Sequence, residues 1–241
     1  MIILPAIDIQ NGTCVRLRKG DFATAHQVAE DPFSTAAAFA QAGAKWIHMV
    51  DLDGAKSGEA KNTEIFLRVA RESGLKVELG GGIRDMETIA FYLEKGISRV
   101  ILGSAAVKNP ELVRKATAQY GEHIAVGIDA KDGIVATEGW LESGNLSYLA
   151  LAEQMAGLGV KKIIFTDISR DGMLSGANFE QLSVLNNTVS CDVIASGGIR
   201  DLHDIEKCKE LNLYGVICGK SIYSGNLSLS EALEMAGEQS C

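Results

Sequence analysis

The stretch LGGGIRDMETIAFYLEKGISRVILGSA (79–105) lies without a gap over ASGGIRDLHDIEKCKELNLYGVICGKS (195–221). Each contains GGIRD, as Gly81-Gly82-Ile83-Arg84-Asp85 and as Gly197-Gly198-Ile199-Arg200-Asp201, 116 positions apart. The same offset sets Val100-Ile101 on Val216-Ile217 and Gly103 on Gly219. Upstream it sets AGAKWIHMVDLDGA (42–55) on LGVKKIIFTDISRD (158–171), with Gly43 over Gly159 and Asp51 over Asp167. One repeated pentamer can be chance, but a constant offset from Gly43 to Ser221 marks a duplicated half. Before Gly43 the register slips by five residues, after which AID at 6–8 matches GID at 127–129.

Within each half, short apolar runs alternate with amphipathic stretches of helix length. The runs are Ile2–Ile7, Trp46–Val50, Lys76–Leu79 and Arg99–Leu102, then Ile124–Ile128, Lys162–Phe165, Asp192–Ala195 and Gly215–Cys218. They are rich in Val and Ile and mostly do not alternate, as in parallel strands buried on both faces. Gly43, Gly74, Gly96 and Gly159 stand where helix C-caps fall. Eight strand–helix units predict an α/β protein, a single (βα)8 TIM barrel with half-repeats of about 1–121 and 122–241. A doubly wound open sheet is the fallback, and two equal halves with one motif each favour closure.

At 241 residues and 46% hydrophobic content the chain can bury a large core. No apolar window is long enough to span a bilayer. The start, MIILPAID, lacks a basic leader and reads as a strand, not a signal peptide. A net charge of −8 without a Lys/Arg run argues against nucleic acid or an acidic lipid surface as partner. Cys14, Cys191, Cys208, Cys218 and Cys241 form no CxxC or Cys/His spacing, so they read as reduced thiols. Four scattered histidines hold no HxxxH pair, so no metal site is expected.

In this fold the chemistry sits at the C-terminal ends of the strands. The third and seventh runs end in Gly81-Gly82 and Gly197-Gly198; the fourth and eighth end in Gly103-Ser104 and Gly219-Lys220-Ser221. Glycines let backbone N–H groups approach an anion closely. Two such cradles, half a barrel apart, suit a ligand with a phosphate at each end. Asp8 and Asp129 end the first and fifth runs and face each other across the barrel, as acid–base work requires. Asp51 and Asp167 form a second symmetric pair, either shaping the site or structural. Thr166 offers a hydroxyl to a substrate and is equally an ordinary β-branched strand residue. His48 reads as a satisfied core or rim histidine. Trp140, in the polar loop TEGWLESGN, can stack on a planar ring, and Arg16, Arg18 and Lys19 follow the first run in a loop.

Together LPAIDIQNGTCVRLRKGD, HMVDLDGA, ELGGGIRD, AVGIDAKDG, TDISRDG, ASGGIRD and GKSIY resemble the phosphoribosylformimino-aminoimidazole carboxamide ribotide isomerase family of histidine biosynthesis, from Ile2 to about Ala236. The resemblance implies a (βα)8 barrel with two phosphate sites and a cytoplasmic Amadori rearrangement without metal or cofactor. The implied substrate is a bisphosphorylated aminoaldose and the product its ketose. The resemblance also implies a monomer with no nucleic-acid or membrane partner. It makes Asp8 the base and Asp129 the acid, and sets Thr166 beside the reacting ribose. Arg16, Trp140 and Gly176 become loop positions that hold substrate. Loop RDGMLSG (170–176) departs from the family in carrying Met173 where Thr is common. The sister family, the cyclase subunit of imidazole glycerol phosphate synthase, shares the duplication but begins CLDV…GRVVKG, with a lysine near the position of Arg16 here. A dual histidine/tryptophan isomerase fits the same residues. A non-catalytic phosphate-sugar binding barrel would not need the Asp8/Asp129 pair.

Overall fold

The apolar runs become strands because they bury both faces, and the computed structural model describes them within residues 1–137, 140 and 142–237. Cys241, and Glu138, Gly139 and Leu141 of the loop after the fifth run, lie outside the described residues. Twelve strands are described: β1 (Ile2–Gln10), β2 (Thr13–Arg18), β3 (Asp21–Ala29), β4 (Trp46–Asp51), β5 (Lys76–Gly80) and β6 (Arg99–Leu102), then β7 (Ile124–Lys131), β8 (Ile134–Thr137), β9 (Glu142–Ser147), β10 (Lys162–Asp167), β11 (Asp192–Ser196) and β12 (Gly215–Cys218). Eight pair in parallel in the order β10-β11-β12-β1-β4-β5-β6-β7, and β7 pairs with β10 to close the ring. Helices cover the outside. The large core lies between helices and barrel, and a smaller cluster of Leu4, Ala6, Ile101, Ala125, Ile164, Ile194 and Ile217 fills the interior. This is the packed inside of a (βα)8 barrel.

Both halves depart from the sequence expectation at the same place. β1 and β7 do not end at Asp8 and Asp129. They run on to Gln10 and Lys131 and fold back as antiparallel hairpins. The hairpin turns are Asn11-Gly12 and Asp132-Gly133, all at positive φ. Asn-Gly and Asp-Gly are the strongest short-range hairpin signals, because both turn residues must adopt φ > 0. Arg16 and Arg18 are therefore strand residues of β2, not loop residues, and only Lys19 sits in a turn.

The pentapeptide now separates into parts. Gly81, Gly82, Gly197 and Gly198 have φ of 104, 76, 82 and 87. Ile83 and Ile199 are buried. Asp85 caps the helix Met86–Glu94 by accepting the Thr88 N–H at 2.7 Å, and Asp201 accepts the Asp204 N–H at 3.3 Å at the start of Leu202–Glu210. Such caps stabilise a helix by about 1 kcal/mol. The glycines also admit neighbouring backbone. A Cβ on Gly82 would stand 2.6 Å from the Gly54 carbonyl oxygen, and one on Gly198 2.5 Å from that of Gly176. Gly82→Ala is expected to cost on the order of 1–3 kcal/mol through strain and displaced backbone. Thermal unfolding measures this, and an unchanged Tm would show that the loop yields freely.

Candidate functional site

The C-terminal ends of the barrel strands surround one large cavity of about 250 Å³. Asp8, Arg16, Gly81, Gly82, Gly103, Ser104, Asp129, Trp140, Thr166, Gly197, Gly198, Gly219 and Lys220 all line it. The ring order sets β1 opposite β7 and the β5/β6 pair opposite the β11/β12 pair. The carboxylates thus face each other along one diameter and the glycine loops along the other. Two residues expected here lie elsewhere. Ser221 is fully buried just beyond the cavity, its Oγ without a hydrogen-bond partner among the described residues. Gly176 lines a second, shallower cavity with Arg170 and Arg200, its N–H bonded to the Gly198 carbonyl at 3.0 Å. It supports the glycine loop from behind.

Asp8 accepts a hydrogen bond from Arg16 Nη1 at 2.6 Å, while Nη2 donates to the Ala6 carbonyl at 2.7 Å. The guanidinium also lies 5.5 Å from the Tyr223 ring centroid, over Gly219, where a Cβ would collide with it. Asp129 pairs across the ladder with Thr166. Burial pushes the Asp129 carboxyl above the ordinary carboxylate range, against hydrogen bonds from the Trp140 and Thr166 side chains. Trp140, in its polar loop, packs against another turn of the protein. It is half-buried at φ 71, with its indole on the face of Gly20, where any side chain would collide. It closes over Asp129 and joins the β8–β9 turn to the β2–β3 turn.

Sequence reasoning missed Asp171. It follows β10 in loop RDGMLSG and lines the cavity. Burial pushes its carboxyl up to about 6; Arg16 opposes the rise, and Asp8 and Asp129 add to it. The loop is tied down on two sides. The Lys19 N–H donates to the Asp171 carbonyl at 3.1 Å, and Lys220 Nζ donates to the Gly172 carbonyl at 2.7 Å. The alignment paired Asp171 with Ala55, so it stood outside the duplicated signal. Met173 points outward, 45% exposed, while its neighbour Leu174 lines the cavity.

The second acidic pair is structural. Asp51 accepts the Gly54 and Lys61 N–H groups and the Asn62 amide at 2.8–2.9 Å. Asp167 accepts the Ser169 N–H at 2.9 Å and the Asn178 amide at 2.7 Å. Asn62 and Asn178 are themselves 116 apart, so the duplication preserved a clasp beneath each glycine loop. Among the described residues, no group of three or more His, Cys, Asp or Glu is arranged to hold a metal ion, and no helix is long and apolar enough to cross a membrane.

A family model described as histidine biosynthesis protein matches residues 2–228. Three relatives are named as 1-(5-phosphoribosyl)-5-((5-phosphoribosylamino)methylideneamino) imidazole-4-carboxamide isomerase. The one from Clostridium novyi is 52% identical, over 98% of this chain and 99% of its own. The one from Clostridium botulinum is 51% identical over 100% and 99%. The one from Clostridium kluyveri is 52% identical over 98% and 100%.

Proposed function

Since the chain belongs to the histidine biosynthesis protein family and is an isomerase of that pathway, we propose that it performs the Amadori rearrangement of the bisphosphorylated aminoaldose, with Asp8 as the base. The observation that carries this reading is the crossed geometry: opposed carboxyl groups along one diameter of the cavity and opposed glycine loops along the other. The loops Gly81-Gly82/Gly103-Ser104 and Gly197-Gly198/Gly219 present backbone to a phosphate at each end of the substrate. The reacting ribose then lies between Asp8 and the opposite carboxyls.

The reaction needs one proton delivered to the ribose ring oxygen and one removed from C2. Protonation opens the ring to a protonated Schiff base, which draws electrons from the adjacent C2–H bond. Asp8 takes the C2 proton, and the enolamine tautomerises to the aminoketose. No net proton is gained or lost. Binding energy from the two remote phosphates holds the sugar in place.

The proton donor must be a carboxyl held neutral by its surroundings. Burial moves Asp129, the donor expected from the sequence, in that direction, with Trp140 and Thr166 holding it in place. Burial raises Asp171 as well, to about 6, and a general acid is most effective when its pKa lies near the operating pH.

The test is direct. Purified protein is mixed with the aminoaldose in the presence of chelator, and ketose formation is followed by absorbance. Turnover is expected. Its absence would sink the isomerase reading, and turnover that requires added metal would sink the acid–base mechanism.

A further inference from the structure

A chain of buried polar side chains rises through one half of the barrel. Arg99 Nη1 donates to Glu78 Oε2 at 2.6 Å, and His48 Nδ1 meets Glu78 Oε1 at 2.9 Å. The three sit at facing register positions on neighbouring strands, His48 of β4 opposite Glu78 of β5 and Glu78 opposite Arg99 of β6. Glu78 is fully buried and Arg99 is 2% exposed. Below, the Arg99 guanidinium lies 4.2 Å from the Trp46 ring centroid. Above, His48 lines the cavity and acts electrostatically on Asp129.

Burying charge in a barrel core is costly, and an ion pair there rarely stabilises more than apolar residues would. The duplication supplies that comparison. Residues 116 positions on are Ile164, Ile194 and Gly215. They occupy the same registers, Ile164 opposite Ile194 and Ile194 opposite Gly215. The other half therefore closes the same barrel with no charge at these positions. The polar chain is not a requirement of the fold.

We propose that Glu78, neutralised by Arg99, is a positioning residue that fixes the tautomer and ring orientation of His48 at the wall of the active site. Burial disfavours a charge on Glu78, but the His48 hydrogen bond and Arg99 together hold its carboxyl below the usual range. A carboxylate only accepts, so His48 Nδ1 must donate. That leaves Nε2 as the atom available to the cavity. Arg99 cancels the carboxylate charge, so Glu78 orients the imidazole without leaving a net negative charge beneath it. The groups facing His48 are Glu78 beneath it and Asp129 across the cavity, which Asp8, Arg16, Asp171 and Lys220 also line. The inference rests on the isomerase reading for its kinetic consequence, but not for its spectroscopic one.

The experiment compares two double variants with the unmodified protein. Glu78→Leu/Arg99→Met removes the acceptor and both charges, leaving no lone buried charge. Glu78→Gln/Arg99→Met removes the charges but keeps an oxygen that accepts from Nδ1. Steady-state kinetics and nitrogen-15 NMR of labelled His48 are read on each. The leucine variant is expected to lose about 10–100-fold in kcat, the scale seen when a metal-bound histidine loses its orienting partner. Its KM should change little, and the Nδ1–H signature should give way to a tautomer mixture. The glutamine variant is expected to keep that signature and recover most of kcat. Near-normal kcat in the leucine variant, or a retained Nδ1–H signature there, overturns the proposal. If the leucine variant does not fold, the glutamine variant decides: loss of the signature or a kcat drop beyond about tenfold also overturns it. If the isomerase reading itself fails, the unmodified protein shows no turnover while the NMR comparison still reports on His48.

Discussion

Asp8→Asn is expected to bind the bisphosphorylated aminoaldose and to turn it over about 10²–10⁴-fold more slowly. Asparagine keeps the shape of the side chain and its ability to accept a hydrogen bond from Arg16, but its amide does not take a proton from carbon. The backbone should not respond. Asp8 lies inside β1, between Val15 of β2 on one side and Val50 of β4 on the other. The glycine loops proposed to hold the phosphates are on other strands, so KM or calorimetric affinity should change little. The perturbation that matters is at Arg16, which keeps its bond to the Ala6 carbonyl and its seat over Gly219. A variant with near-normal kcat would remove Asp8 from the role of base. One that fails to bind would show instead that the Asp8–Arg16 pair builds the substrate site.

The second large effect is at Asp171. If this carboxyl delivers the proton, kcat/KM falls about tenfold per pH unit above about 6, as the acid form is lost. Asp171→Asn should then be slower by about 10²–10⁴-fold at pH 6 and lack that alkaline fall. The same variant should be more stable at neutral pH. The folded-state value of about 6 exceeds the roughly 3.9 of an unfolded chain. The stability that Asp171 contributes is therefore full below about pH 4 and is lost as pH rises through about 6. Removing the ionisable group removes that loss, roughly 1–2 kcal/mol at pH 7 once partial solvation is counted. A variant that is slower yet melts higher is the signature of a strained functional carboxyl. If Asp171→Asn keeps the alkaline fall and Asp129→Asn abolishes it, the donor is Asp129.

Asp171 also shows why the site was only partly legible in the chain. Asp8, Asp129, the glycine pairs and Gly103/Gly219 were found because duplication printed each of them twice. Asp171 has no carboxylate counterpart, and its high value comes from burial, with Asp8 of β1 and Asp129 of β7 adding to it. Glu78 and Arg99 stood within apolar runs and carried no signal of their own, and only the ladder brings Glu78 to His48 and Arg99 to Glu78. The hairpins were legible and missed, because Asn11-Gly12 and Asp132-Gly133 carry the turn signal that a search for parallel strands passes over. Trp140 could not be placed from sequence, since its position depends on the bare face of Gly20, 120 residues away.

By itself the sequence determined the eightfold alternation, the half-barrel repeat and the opposed carboxylates and glycine loops. These follow from local periodicity and from a constant offset, which are properties of neighbours along the chain. Only the tertiary structure decided which carboxyls burial pushes upward, which arginine clamps Asp8 and which buried pair meets His48. Protonation and orientation depend on desolvation and on charges within a few ångströms, and those distances exist only after the ring of strands has closed.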